Sequence, residues 1–494
     1  MRPFFIFATL ITILFFLSLI KSIKSLQEEE LYQDEQESDR VYNLPGQPKS
    51  PSLSHFSGYI TVNRENGRAL FYWFFEAQSE PSKRPLLLWL NGGPGCSSIG
   101  YGAAVELGPL RVKRHGTGLE FNKYAWNKEA NLLFLESPIG VGFSYTNTPS
   151  DLNKLEDGFV AEDAYSFLLN WFRMFPQYQA QDFYISGESY AGHYVPQLAE
   201  LVYDRNKDRK NYPYINLKGF IVGNPETDDY YDSKGLVEYA WSHTVVSDRA
   251  YRLVNKVCDF RLFNWTHECS NAMNMVFDQY KDIDIYNIYA PKCNLAQASS
   301  STYETNAKMQ RSFLRKLRMY SGYDPCFSNY AEEYFNKPDV QKSLHAHVGG
   351  KINGTWQVCN DSILNAYNFT VSSVLPIYSK LIKAGLRIWV YRWQGSSNWD
   401  KILCGISGPP PQVSVAALVS QQPGWWEVCG VPRADHGNSQ RSRPFGASQH
   451  ACRGPCAHQH LFDGPTAPQT QVISPCSQLY AFSFFLDRMH LYMC

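Results

Sequence analysis

The chain has 494 residues, of which 46 are lysine or arginine and 46 are aspartate or glutamate, so its formal net charge is zero. This balance leaves no excess of positive charge that would suggest a nucleic-acid-binding protein, and no acidic run suggests a disordered tail. The length exceeds that of a small single core and suits one large α/β catalytic domain with insertions.

The first residues predict a targeting segment. Arg2 supplies one early positive charge before an apolar run that ends near Lys21. This pattern predicts a secretory signal peptide over residues 1–26. A signal anchor is the alternative, although the apolar run is short for a bilayer span. We therefore expect a secreted or vacuolar protein that uses the secretory pathway and has no membrane contact after cleavage.

Cysteines and glycosylation sequons fit an oxidising compartment. Twelve cysteines in a secreted chain are expected to be mostly paired. Six of them are spread over the first 391 residues, and the other six crowd into the remainder. Four Asn-X-Ser/Thr sequons predict N-linked glycans at Asn264, Asn353, Asn360 and Asn368.

Strand-like runs recur along the chain up to residue 391. The run 85–90 is apolar from Leu86 onward, which is typical of a strand buried on both faces. Helical patterns such as 162–175 separate some of the runs, and this alternation predicts an α/β fold with a mostly parallel central sheet. The predicted strands are 58–62, 69–75, 85–90, 132–135, 183–186, 219–222 and 386–391.

The spacing of these runs predicts the domain organisation. The interval between the strands near Val222 and Ile388 is too long for a loop in a compact domain, so we expect an inserted cap. The predicted parts are a first section of the core over 27–225, a cap over 226–335 and a return to the core over 336–391. Within the cap, a polar and basic stretch at about 297–318 predicts an exposed linker.

The motif Gly187-Glu188-Ser189-Tyr190-Ala191-Gly192 predicts a nucleophile. It follows a predicted buried strand and precedes a helical pattern, as in the elbow that raises a serine hydroxyl above the sheet edge. We therefore predict Ser189 as the catalytic nucleophile. The backbone N–H groups of Tyr190 and of Gly93, in the glycine-rich loop 91–95, are the expected oxyanion donors.

Five motifs in order resemble the serine carboxypeptidase family in its plant form. They are Trp89–Ser98, Glu136–Tyr145, Gly187–Gly192, Gly223–Pro225 and Tyr334–Gln341. The resemblance implies an α/β-hydrolase fold with a helical cap. It also implies an enzyme that releases residues from the C-termini of peptides or, in one plant branch, transfers acyl groups from glucose esters.

The resemblance also assigns binding residues and disulfides. It implies that Asn91, Gly92 and Glu188 bind the terminal carboxylate of a peptide, with Glu188 protonated, which accounts for the acidic optimum usual in the family. No cofactor or metal is implied, and the sequence is compatible with a homodimer. The implied disulfides are Cys96–Cys359, Cys258–Cys269 and Cys293–Cys326.

One departure concerns the substrate-binding region. Family peptidases often carry a second glutamate after the glycine loop, where this chain has Val105 followed by Glu106. The departure leaves a peptidase and an acyltransferase both open, together with a non-catalytic secreted glycoprotein as a third alternative.

The family pattern stops after Tyr391. The resemblance places the triad aspartate in a G-D-x-D-x-x-V-P string and the histidine in a G-x-G-H-x-V-P string, and neither is present. Codons can be chosen for 392–403 that, read one base later, encode D-G-R-V-P-V-T-G-T-R-Y, and the same offset recovers the histidine string from 423–464. We therefore predict that 392–494 is a frame-shifted tail, that the C-terminal strand and helix are missing or replaced, and that activity is impaired.

Substitute catalytic and metal-binding residues in the tail carry little weight. The cluster of Cys452, Cys456, His458 and His460 matches no standard zinc spacing, and the shifted frame accounts for it. The same holds for the remaining acid and base candidates, which are Asp400, Asp435, His436 and His450.

Overall fold

A computed structural model of the chain describes residues 34–262, 264–281, 326–346 and 354–392, and the single residues 283, 288 and 293. It also describes the backbone of 413–422 and 425–429. The predicted signal peptide, the linker at 297–318 and the sequon at Asn353 lie outside these residues.

A nine-stranded, mostly parallel sheet organises the described chain. The strand order is β1-β2-β6-β3-β7-β8-β9-β10-β11, in which β6, β3, β7, β8, β9 and β10 run parallel and the outer pairs are antiparallel. A small second sheet pairs β4 with β5. The strands are β1 (His55–Asn63), β2 (Arg68–Phe75), β3 (Leu86–Leu90), β4 (Leu110–Val112), β5 (Leu119–Phe121), β6 (Asn131–Leu135), β7 (Phe183–Glu188), β8 (Leu217–Gly223), β9 (Arg387–Arg392), β10 (Val413–Gln422) and β11 (Trp425–Cys429).

Helices alternate with the parallel strands, as the sequence predicts for an α/β fold. Every residue of β3 and β6 is buried, because side chains on both faces of these strands are covered. The helices are α1 (Asp157–Met174), α2 (Ala191–Arg205), α3 (Asp229–Ser242), α4 (Asp248–Val257), α5 (His267–Asp278), α6 (Phe327–Phe335), α7 (Pro338–Ser343), α8 (Asp361–Ala366) and α9 (Leu375–Lys383).

Two large hydrophobic clusters lie on opposite faces of the sheet. On one face, α1, α2 and α9 pack on the strands, and Trp171 of α1 stacks on Phe175 with ring centroids 4.6 Å apart. On the other face, Trp73 and Trp89 pack with the segment 99–107 and with α6. The two clusters hold the strand ends in fixed positions, which is the requirement for a site built at the sheet edge.

The interval predicted to be a cap begins with three helices that share a cluster of their own. Side chains of α3, α4 and α5, among them Val254 and Met273, form a third buried cluster. Ser247 and Thr266 cap α4 and α5 by accepting hydrogen bonds from backbone N–H groups of the first turn. The domain boundaries themselves stay predictions.

The sheet continues beyond the last family motif. The backbone of β10 pairs in parallel with β9, from Val413 opposite Ile388 to Ala417 opposite Arg392, and β11 returns antiparallel to β10. The tail sequence shows no sustained period, yet its run of valines and alanines adds to the exposed edge of β9, where unpaired N–H and C=O groups favour pairing. A different segment therefore replaces the strand expected at this position.

All three disulfides implied by the resemblance are formed: Cys96–Cys359, Cys258–Cys269 and Cys293–Cys326. Among the described sequons, Asn264 and Asn368 are exposed, whereas Asn360 is half-buried. Among the helices that the structure describes, none combines the length and the apolar character needed to cross a bilayer.

Candidate active site

The elbow lies between the end of β7 and the start of α2. Ser189 has a φ of 60°, in the left-handed region that costs a non-glycine residue of order 1–2 kcal/mol. Its backbone N–H donates to the carbonyl of Gly223 at 3.1 Å, and its carbonyl accepts from the N–H groups of Gly192 and Glu226, both at 2.9 Å. These three hydrogen bonds hold the strained turn.

Glycines make the tight packing of the elbow possible. A Cβ added at Gly187 would lie 2.4 Å from the carbonyl oxygen of Leu90, and one added at Gly192 would lie 2.3 Å from that of Glu226. Neither distance leaves room for a side chain, which explains why both positions of the motif are glycine. The sequence-based interpretation of Gly187 and Gly192 is thus consistent with the observed turn.

The glycine loop contacts the elbow directly. A Cβ added at Gly92 would lie 2.3 Å from the backbone nitrogen of Tyr190, so the two backbones approach as closely as glycine allows. Gly93 has a φ of 114° and precedes a cis proline, Pro94. The structure therefore brings together the loop of Gly93 and the residue after the nucleophile, the two predicted sources of oxyanion donors.

Asn91 lies between two glutamates. Its Nδ2 donates to Oε1 of Glu188 at 3.0 Å and to Oε2 of Glu106 at 3.3 Å. Its Oδ1 accepts from the indole N–H of Trp89 at 2.8 Å and from the N–H of Gly102 at 3.1 Å. Because Oδ1 is fixed by these two donors, the amide N–H₂ points at the two carboxyl groups.

Glu106, the residue after Val105, contacts Asn91. Residues Ile99–Glu106 form a π-helix, in which the N–H groups of Ala103 and Leu107 bond to carbonyls five residues earlier. Val105 is buried, whereas Glu106 accepts a hydrogen bond from Asn91. The departure at Val105 therefore stays a prediction, while Glu106 brings a carboxyl group to Asn91 from the next position.

Glu136 lies fully buried beneath the glycine loop. Its carboxyl group accepts from the hydroxyl of Ser97, from the N–H of Phe143 at 2.6 Å and from the indole of Trp356 at 3.2 Å. Burial raises the pKa of Glu136 to about 7, against the opposing effect of these three hydrogen bonds. The carboxyl thereby joins three separate segments under the site.

Tyr391 is a site residue that the sequence reasoning missed. It is the penultimate residue of β9, and a Cβ added at Gly223 would lie 2.5 Å from its hydroxyl oxygen. Burial, together with the charges of Glu188 and Glu106, raises the pKa of Tyr391 well above its ordinary value. Its phenol thus belongs to the surroundings of the two glutamates, and its place at the end of a predicted parallel strand was the available signal.

The base side of the site is not built by the described residues. The six acid and base candidates of the tail (Asp400, Asp435, His436, His450, His458 and His460) lie outside them. Within the described part of the chain, no group of three histidine, cysteine or acidic side chains could hold a metal ion.

Comparisons with known proteins agree with the fold and the motifs. The sequence model of the serine carboxypeptidase family matches residues 45–397, which ends a few residues beyond β9. The chain is 68% identical over 361 residues to Serine carboxypeptidase-like 26 of Oryza sativa subsp. japonica, covering 72% of this chain and 75% of that protein. It is 61% identical over 373 residues to Serine carboxypeptidase-like 33 of Arabidopsis thaliana, covering 74% and 78%.

A solved structure extends the comparison to the fold. Kex1(delta)p, a prohormone-processing carboxypeptidase from Saccharomyces cerevisiae, superposes with a TM-score of 0.57 at 25% sequence identity, covering 72% of this chain and 78% of that one. The α/β-hydrolase fold predicted from the sequence is confirmed. On the family match and the two plant relatives together, this chain belongs to the serine carboxypeptidase family.

Proposed function

We propose that the site is that of a serine carboxypeptidase that releases C-terminal residues from peptides, with Ser189 as the nucleophile. One observation carries the proposal: the amide of Asn91 lies within 3.3 Å of the carboxyl groups of both Glu106 and Glu188, beside the elbow. An amide N–H₂ and two carboxyl groups converging at one place suit the recognition of a carboxylate, provided that the carboxyl groups are neutral and can donate.

The chemistry of the proposal follows from the elbow. The Ser189 hydroxyl attacks the carbonyl carbon of the last peptide bond, and the oxyanion forms beside the N–H groups of Tyr190 and Gly93. The serine proton must pass to a base, which gives it to the departing amine as the C–N bond breaks; water, deprotonated by the same base, then cleaves the acyl–serine bond and regenerates the hydroxyl. The family strings that supply this base and its aspartate are absent from the sequence, so we propose that hydrolysis by the chain as written is impaired.

The two glutamates make the proposed binding pH-dependent. Two ionised carboxyl groups would repel a peptide carboxylate, whereas a neutral carboxyl group donates a hydrogen bond to it. Binding of a peptide with a free C-terminus is therefore expected to strengthen as the pH falls. This suits an acidic compartment of the secretory pathway, where three disulfides also persist.

A binding experiment tests the proposed substrate class without requiring turnover. Calorimetry would compare a blocked dipeptide carrying a free C-terminus with its C-terminal amide at pH 5 and pH 7.5. We expect only the free acid to bind, more tightly at pH 5, and Glu188→Gln to weaken the pH dependence because the amide donates at both pH values. Equal affinity for the acid and the amide would contradict the proposal.

A turnover experiment tests the proposed reaction and its impairment. Hydrolysis of the same dipeptide by the full chain is expected to be low and to fall little further in Ser189→Ala, because without the base only the oxyanion donors and substrate binding give residual catalysis. Robust hydrolysis would refute the impairment. Acyl transfer from a glucose ester without peptide hydrolysis would instead favour the acyltransferase alternative.

A further inference from the structure

The side chain of Tyr190, the residue after the nucleophile, is anchored beneath the elbow. Its ring is buried and stacks on His193 with a centroid distance of 4.9 Å and an interplanar angle of 5°. Tyr194, Tyr367 and Phe369 contact it edge-on. Burial, reinforced by the charge of Asp157, raises the pKa of Tyr190 well above its ordinary value, so the phenol stays protonated and remains a donor.

The acceptor of that phenol is Asp157, the first residue of α1. The Tyr190 hydroxyl donates to its Oδ1 at 2.7 Å, and the Tyr367 hydroxyl donates to the same oxygen at 3.1 Å. The other oxygen, Oδ2, accepts from the N–H and hydroxyl of Thr370 at 2.9 and 3.0 Å and from the N–H of Val371 at 3.0 Å. A carboxyl group that is 1% exposed thus accepts hydrogen bonds from five neutral donors.

Asp157 therefore joins two parts of the chain that are far apart in sequence. One is the elbow, through Tyr190. The other is the segment 367–374, which also bonds to the backbone near α1 and α3, where Asn368 donates to the carbonyl of Leu155 and Val374 donates to that of Thr227. Because buried hydrogen bonds to a carboxylate are among the stronger ones in proteins, this connection is stiff.

We infer that Asp157 is a positioning residue of the active site: through the Tyr190 hydroxyl it fixes the Tyr190 backbone N–H against the glycine loop. A Cβ added at Gly92 would lie 2.3 Å from the Tyr190 nitrogen, so the elbow and the glycine loop are in close contact at this atom. A small displacement of Tyr190 therefore changes the position of its N–H group relative to that of Gly93, the second oxyanion donor. The inference rests on the proposed function, because it assigns that N–H to the oxyanion hole.

Two phenols on the same carboxylate oxygen provide a matched pair of variants. Tyr190→Phe and Tyr367→Phe each remove one hydroxyl that donates to Oδ1 of Asp157, but only Tyr190 belongs to the elbow. Loss of a buried hydrogen bond to a charged group raises local opening by about 10-fold or more. The two variants therefore separate positioning of the elbow from general stabilisation of the fold.

Amide hydrogen exchange of the full chain, read by mass spectrometry, tests the inference without substrate. We expect Tyr190→Phe to accelerate exchange about 10-fold in a peptide covering 186–194, and Tyr367→Phe to accelerate it in a peptide covering 367–371 while leaving the elbow unchanged. Asp157→Asn, which keeps one acceptor oxygen, should accelerate both. Unchanged elbow exchange in Tyr190→Phe and Asp157→Asn, or the same elbow effect in Tyr367→Phe, would overturn the inference.

Residual hydrolysis of the blocked dipeptide gives the second readout. We expect Tyr190→Phe to lower kcat about 10-fold with KM unchanged, because the oxyanion donors act in the transition state and Asn91 binds the ground state. Tyr367→Phe should retain the parent kcat. Failure of the free-acid dipeptide to bind the parent chain, with the expected exchange pattern in the variants, would count against the proposed function and leave the positioning of the elbow supported.

Discussion

The two halves of the active site differ in whether the sequence contains the motifs that build them. The serine half consists of the glycine loop 91–95, the elbow 187–192 and Glu106, and the described residues bring all of these together. The base half consists of the aspartate and histidine strings that the family places after the strand at β9, and the sequence carries neither. Local backbone signatures and buried contacts are enough to build the first half, whereas the second depends on the chain that continues the sheet.

This difference shows that a segment can add a strand to the edge of a sheet without supplying the catalytic side chains expected at that position. β10 pairs in parallel with β9 over five residue pairs, although its sequence has no family motif. Main-chain hydrogen bonds are indifferent to side chains, so an unpaired strand edge selects for extended backbone alone. Catalytic side chains, in contrast, require their own positions at the end of the strand.

The largest expected effect tests the base half directly. Replacing the residues after Tyr391 by a segment that carries both family strings, G-D-x-D-x-x-V-P and G-x-G-H-x-V-P, supplies the triad aspartate and histidine, and we expect kcat/KM for the blocked dipeptide to rise by about 10³-fold or more. The physical reason is that a base removes the Ser189 proton and returns it to the leaving amine. Steady-state kinetics of the purified chains measures this ratio.

Two controls accompany the replacement. Ser189→Ala in the restored chain should abolish the gain, because the added base then has no hydroxyl to act on. Tandem mass spectrometry of the native protein decides which frame the cell makes: a V-P-V-T-G-T-R peptide indicates the family frame, and a peptide spanning Arg433 to His436 indicates the written tail. A restored chain no more active than the written one would show that the serine half is itself defective.

The second expected effect concerns the disulfide that links the glycine loop to the segment near residue 359. Cys96–Cys359 has a sequence separation of 263 residues and lies beside the loop, where the N–H of Asn360 donates to the carbonyl of Gly95 at 2.9 Å. Replacing both cysteines by serine should lower the free energy of unfolding by up to about 5 kcal/mol, because the unfolded chain regains the entropy of a long loop. Urea unfolding of the full chain measures the change.

The cap disulfide is the matched control for this variant. Cys258–Cys269 has a sequence separation of only 11 residues, so its removal should cost about 2–3 kcal/mol and leave peptide binding unaffected. Equal losses from both double variants would show that loop length and the position beside the site do not matter.

A smaller effect follows from the carboxyl group beneath the glycine loop. The folded-state pKa of Glu136 is raised from 4.5 to about 7 by burial, so the folded chain holds this proton more tightly than the unfolded chain. Stability from this group is therefore fully present below pH 4.5 and is lost as the pH rises through about 7, an effect on the order of 2–3 kcal/mol. Urea unfolding at several pH values should show it.

Two variants separate the sources of this pH dependence. Asp39 behaves in the same way, since burial raises its pKa from 3.8 to about 7, and it lies on the N-terminal segment, away from the loop. Glu136→Gln and Asp39→Asn should each remove part of the slope, because the amides do not titrate. A slope that survives in the double variant would assign it to other groups.

The smallest expected effect is a difference in glycan occupancy among the three described sequons. Asn264 and Asn368 are exposed, whereas Nδ2 of half-buried Asn360 donates to the carbonyl of Gly140 at 2.8 Å and its Oδ1 caps α8. We expect glycans at Asn264 and Asn368 and none at Asn360, because the same nitrogen cannot carry a glycan and keep its packing. Glycopeptide mass spectrometry measures occupancy, and full occupancy at Asn360 would contradict the prediction.

The sequence by itself determined the features whose signal is local. The apolar runs of β3 and β6 predict strands buried on both faces, and both are buried. The elbow motif predicts a turn that only small residues permit, and the contacts of Gly187 and Gly192 explain why. Each of these features depends on backbone conformation and hydrophobic pattern over a few residues, which the order of amino acids states directly.

The tertiary structure alone decided which side chains meet at the site. Glu106 ends a π-helix and contacts Asn91, a meeting that the sequence analysis did not predict. Asp157 meets Tyr190 across 33 residues and Tyr367 across 210, and Tyr391 of β9 packs closely on Gly223 of β8. Such contacts are set by the packing of helices and strands on the sheet, so no pattern within a short stretch of sequence contains them.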